Sequence, residues 1–70
     1  MMHEFRVGDS VGWKIEFGDA SGTIIKVHTH DTNFKGLMRR CSEADPQYEI
    51  RSSRTDHIAM HKGAALRMLE

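Results

Sequence analysis

Gly22-Thr23-Ile24-Ile25-Lys26-Val27-His28 is the densest run of β-branched residues in the sequence, and the rest of the chain is read around it. Gly18-Asp19-Ala20-Ser21-Gly22 before it has turn chemistry, and His30-Asp31-Thr32-Asn33 after it has loop chemistry. Strict alternation fails inside the run. With Thr23, Ile25 and Val27 facing inward, Ile24 is left to solvent; with Ile24 inward, Val27 has the wrong parity. A β-bulge near Ile25-Lys26 puts Ile24 and Val27 on one side and bends the strand, as closure of a barrel requires. The run is therefore read as the central, bulged strand of a small barrel.

Outward from this strand the same two signals recur, alternation and turn residues. Ser10-Val11-Gly12-Trp13-Lys14 alternates, with Val11 and Trp13 on one face, after a turn at Gly8-Asp9. On the other side, Gln47-Tyr48-Glu49-Ile50-Arg51 alternates with Tyr48 and Ile50 inward, and Pro46 marks where that strand begins. Ser52-Ser53-Arg54-Thr55-Asp56 is a polar turn, and His57-Ile58-Ala59-Met60-His61 alternates again with Ile58 and Met60 inward, which completes a hairpin. Lys62-Gly63 closes it. Ala64-Ala65-Leu66 suits one helical turn and Arg67-Met68-Leu69 a last short strand or tail; a longer helix over 64–70 is the alternative. The pattern is lost over 29–46, where 34–41 reads as one short, irregular strand. Residues 1–4 are read as a tail and 5–70 as one domain. The fold predicted is all-β: a small five-stranded barrel with a short helical turn near its C-terminus. Its expected core is Val11, Trp13, Ile24, Val27, Tyr48, Ile50, Ile58, Met60 and Leu66.

Composition narrows the function classes. Seventy residues of which 39% are hydrophobic fill a thin core and no more. Ten basic and ten acidic residues cancel, so no global field draws the chain to nucleic acid or to an anionic membrane. Cys41, the single cysteine, has no internal disulfide partner, which points to a reducing compartment. No apolar run approaches the roughly 18 residues of a membrane span, and Met1-Met2-His3-Glu4-Phe5 lacks signal-peptide character. The expectation is a cytoplasmic protein with no membrane partner.

Several blocks, in order, resemble one family. They are Phe5-x-Val7-Gly8-Asp9-x-Val11-x-Trp13, Ser21-Gly22-Thr23-Ile24, Phe34-Lys35-Gly36, Asp45-Pro46-Gln47-Tyr48-Glu49-Ile50 and Thr55-Asp56-His57-Ile58-Ala59-Met60-His61-Lys62-Gly63-x-Ala65-Leu66. Together they resemble the hypervirulence-associated protein Tudor-domain family, short proteins of bacteria and fungi. The resemblance runs over nearly the whole chain, and Asp-Pro-Gln-Tyr and His-Lys-Gly-x-Ala-Leu are its most specific parts. It implies an SH3-like, Tudor-type barrel. The family is named for an association and a fold, so it implies little chemistry; Leu37-Met38-Arg39-Arg40-Cys41 departs from the regular pattern around it.

Candidate site residues follow from what such barrels bind. Some Tudor barrels hold methylated lysine or arginine in an aromatic cage, by attraction of a cation to ring faces. Trp13 and Tyr48 have inward parity and are assigned to the core, since aromatics dominate small cores. Phe17 and Phe34, in loops, are the candidates for a ligand rim, with Asp19 as the accompanying acid. This reading makes the chain a protein or peptide adaptor. The alternative is a weak RNA- or DNA-binding module, since Gly8-Asp9-x-Val11 with Gly22-x-Ile24-x-x-Val27 loosely resembles KOW segments; Lys35, Arg39, Arg40, Arg51 and Arg54 would carry it. Glu43, Asp45, Glu49 and Asp56 lie among those cations and are expected to blunt their field. His28, His30, His57 and His61, with Cys41 or Asp31, invite a metal, but their spacing matches no ligand pattern, so neither metal nor other cofactor is expected. No Ser or Cys has a base in motif context, and an enzyme is not expected.

Overall fold

The computed structural model describes residues 5–69. Its strands are β1 (Ser10–Ile15), β2 (Gly18–His28), β3 (Thr32–Phe34), β4 (Leu37–Arg39), β5 (Gln47–Ser52), β6 (Ile58–Lys62) and β7 (Arg67–Met68), with one 3-10 turn at Gly63–Ala65 before β7. Five strands form an antiparallel sheet in the order β6-β5-β2-β1-β7, and β3 and β4 form a separate hairpin. The expected N-terminal tail, 1–4, lies outside the described residues.

β2 is central because it is long enough to serve two neighbours. Its first half pairs with β1, from Ile15 opposite Gly18 to Ser10 opposite Thr23, and its second half with β5, from Gly22 opposite Ser52 to His28 opposite Gln47. The bulge is present: the register against β5 slips between Ile24 and Lys26. Ile24 is fully buried opposite Ile50. Val27, opposite Tyr48, has the parity the bulge was expected to give it, but it lies on the rim with 37% of its surface exposed and is no core residue.

The sheet curls onto itself. β1 and β6 are three places apart in the sheet, about 14 Å if it were flat, yet the rings of Trp13 and His61 lie 5.2 Å apart. The 3-10 turn links the outer strands β6 and β7, and β7 returns to pair with β1 through Val11–Met68 and Gly12–Arg67. Val11, Trp13, Ile24, Tyr48, Ile50 and Leu66 fill the enclosed space, with Phe5, Ala20 and Ala59 packed against them. Ahead of β1 the chain is fastened to the barrel. The Phe5 ring stands edge-on to Tyr48, the Phe5 amide donates to the Tyr48 hydroxyl, and the Gly8 amide donates to the Ile24 carbonyl.

Two expectations need correction. The register sets Tyr48 opposite His61 and Ile50 opposite Ala59, so Ala59 and His61 face the core from β6. Ile58 and Met60 therefore have the outward parity. Ile58 is half-buried, and Met60, opposite Glu49, is buried outside the core cluster. The second correction concerns 34–41. It is no single strand: β3 and β4 are joined by a two-residue turn, Lys35-Gly36, both with positive φ, the conformation that matches the twist of a tight hairpin.

Facing the core makes His61 a sensor of acid. Burial, and next the charge of Arg39, hold its pKa below the ordinary histidine value. The unfolded chain then binds a proton that the folded chain refuses. Stability is whole above about pH 6.5 and falls as the pH drops through that value toward the lowered one. Urea midpoints measured across this range should decline for the wild type, and His61→Gln should flatten the decline.

Candidate functional site

Two tight turns meet at one end of the barrel. β1 and β2 are joined through Glu16-Phe17, and β5 and β6 through 53–57, where Asp56 takes the positive φ that its side chain tolerates. A hydroxyl lattice ties the two ends together. Ser53 donates its amide to the Ser21 carbonyl at 3.0 Å, and the hydroxyls of Ser21 and Ser53 are 2.9 Å apart. Between them opens a cleft of about 310 Å³, lined by Ile15, Asp19 and Ala20 from the first hairpin, Ser21 and Ser52 from β2 and β5, and Arg54 and Thr55 from the turn. Ile15 and Ala20 provide an apolar floor, three hydroxyls a polar wall, and Arg54 and Asp19 opposite charges at the margin. Asp19 is also 3.7 Å from Arg67, both groups being half exposed.

Phe17 projects from the tip of the first hairpin with 93% of its surface in solvent, beside Ile15, itself half exposed. Large apolar side chains this exposed on a small domain mark contact surface when they gather. Phe17 and Asp19 thus belong to the hairpin that forms one wall of the cleft. Phe34 does not join them. It lies on β3, half-buried, with the Lys35 ammonium 5.3 Å and the Arg39 guanidinium 5.9 Å from its ring centre. Among the described residues no aromatic ring lines the cleft, so they form no enclosing cage for a methylated cation there. Ile15, Ser52 and Thr55 were not anticipated as site residues, because they meet only through the pairing of distant turns.

Of the five cations in the nucleic-acid reading, Lys35, Arg39 and Arg40 sit on or next to the β3–β4 hairpin, Arg51 on β5 and Arg54 in the cleft. The Lys35 ammonium donates to the Ile58 carbonyl, and Ile58 is the register partner of Arg51. Glu49 pairs with His28 at 2.9 Å and Asp45 with Lys62 at 2.6 Å, and none of the five cations has a carboxylate within 4 Å among the described residues. The histidines are likewise dispersed: His28 bridges Glu49 and the Thr32 hydroxyl, His61 packs on Trp13, and His30 and His57 are exposed. Among the described residues no three His, Cys, Asp or Glu side chains gather as a metal set.

The family model of the hypervirulence-associated proteins' TUDOR domain matches residues 8–66. The chain belongs to this family. The match spans β1 through the residue that follows the 3-10 turn, so both cleft-forming turns and the β3–β4 hairpin fall within the Tudor domain. No curated protein and no solved structure matches the chain. Tudor-type domains are small binding modules, and the Tudor domain here has the corresponding all-β architecture.

Proposed function

We propose that this Tudor domain is a non-catalytic adaptor that takes a short peptide of another protein across the barrel-end cleft. Phe17 is the projecting anchor, Asp19 and Arg54 read polar groups of the peptide, and the Ile15–Ala20 floor receives an apolar side chain. The observation that carries the reading is the near-complete exposure of Phe17 beside a cleft with an apolar floor and polar walls. No cofactor takes part.

A displayed library of random peptides tests this. The wild-type domain should enrich one motif, and Phe17→Ala should weaken the winning peptide about thirtyfold, the loss typical of a central aromatic anchor. The same variant should melt within a few degrees of the wild type, because an exposed side chain contributes little to folding. Failure to enrich any motif, or undiminished binding by Phe17→Ala and Asp19→Ala, would remove the cleft as the ligand site.

A further inference from the structure

We propose that the β3–β4 hairpin is a second docking surface, distinct from the cleft, for an acidic peptide segment in which carboxylates flank an apolar side chain. The stretch 32–41 carries Lys35, Arg39 and Arg40 and no acidic residue, within a chain whose formal net charge is zero. Electrostatic neutrality of the whole therefore hides one positive element, with a single carboxylate at its base, where Asp31 accepts from the Cys41 amide. Its cations have no carboxylate partner among the described residues. Two of them gather on one ring: both Lys35 and Arg39 lie within 6 Å of the Phe34 ring centre, and Lys35 is also bonded to the Ile58 carbonyl.

Arg39 adds the observation that points most directly to a ligand. Its Nε is buried and meets no hydrogen-bond acceptor, an arrangement that costs free energy until an acceptor is found. A carboxylate accepts from a guanidinium through two parallel N–H bonds. A turn of the Arg39 side chain toward such a partner would satisfy the orphaned donor and neutralise the charge together. On the same face as this group, Leu37 is the register partner of Phe34 and is 66% exposed, while Met38 alternates to the opposite face. The hairpin thus offers apolar contact between cationic flanks, and the complement is an apolar residue between acidic ones.

A nucleic-acid strand fits this surface less well. Stacking needs a free aromatic face, whereas Phe34 is half-buried with two cationic side chains on its ring. Phosphates would also leave Leu37 without a use.

The test is an amide-shift titration of the ¹⁵N-labelled protein with three probes. One is a blocked peptide with glutamates flanking a leucine, the second its glutamine counterpart, and the third an oligouridylate. The acidic peptide should move the amides of 34–41 and the Arg39 Nε–H signal. Arg39→Gln should weaken binding at least tenfold, as should Arg40→Gln, an exposed position at which the fold is not at stake. Phe17→Ala should leave this binding unchanged, which separates it from the cleft. The proposal is overturned if the glutamine peptide binds as well, if shifts are absent or fall on the cleft, or if the oligouridylate binds the hairpin more tightly. Concentration-dependent shifts of the same amides without any probe would assign the surface to a second copy of the chain and overturn it equally.

Discussion

Trp13→Ala is expected to leave little or no folded protein at 37 °C. Trp13 is 6% exposed and lies in the cluster with Val11, Ile24, Tyr48, Ile50 and Leu66, while its ring also touches His61 from the opposite side of the curled sheet. Truncation removes the side chain that spans the barrel, and the cavity cannot collapse without uncurling the sheet. Trp-to-Ala changes in cores cost about 3–5 kcal/mol. A chain of 70 residues has only about 4–10 kcal/mol in total. Thermal unfolding followed by far-ultraviolet circular dichroism should show the midpoint lowered by roughly 15 °C or more, or no transition at all. A midpoint within a few degrees of the wild type would mean that Trp13 is not the centre of the core.

Gly22→Ala should be nearly as damaging, for a reason that has nothing to do with lost contacts. A Cβ at Gly22 would lie 2.3 Å from the Arg51 carbonyl oxygen and 2.8 Å from the Ile50 side chain. The oxygen belongs to the β5 backbone and cannot move without opening the β2–β5 ladder, where Gly22 faces Ser52 and Thr23 faces Arg51. Overpacking of this kind costs about 3 kcal/mol or somewhat more. Gly12→Ala is the internal control. A Cβ there meets its nearest neighbours, the Ala20 carbonyl oxygen and a Leu69 methyl, only at 3.4 Å, so its urea midpoint should differ little from the wild type. Equal stability of the two variants would contradict the close approach of β2 and β5.

How much of this could be read from residue order depends on which signal each element carries. β2 with its bulge, the β5–β6 hairpin and the 3-10 turn are legible because β-branched runs, polar turns and glycines punctuate them. Parity on β6 is not. Its large apolar residues, Ile58 and Met60, suggest an inward face, whereas the register turns Ala59 and His61 inward, a small side chain and an imidazole that draw no attention in a string of letters. β3 and β4 have three residues each, too few for a period to declare itself, although Lys35-Gly36 is a tight-turn pair. The candidate site divides in the same way. Phe17 and Asp19 can be found as loop residues near one another in sequence. The cleft beside them joins Ile15 to Thr55 through sheet pairing, which no local pattern encodes.

The β3–β4 hairpin stands outside the five-stranded sheet, and its presence there shortens the loop that the sheet must close. β2 and β5 are joined by the stretch 29–46, whereas β1–β2 and β5–β6 are joined by short turns. Left as open chain, that stretch would have to be closed at its full entropic cost before the central ladder could form. Pairing of Thr32 with Arg39 takes 32–39 out of the loop and nearly halves it, which lowers the closure cost by about half a kcal/mol. The turn at Lys35-Gly36 thus shortens the free loop between two strands far apart in the chain. The segment that departs most from the regular strand pattern is the one that eases closure of the barrel's central ladder.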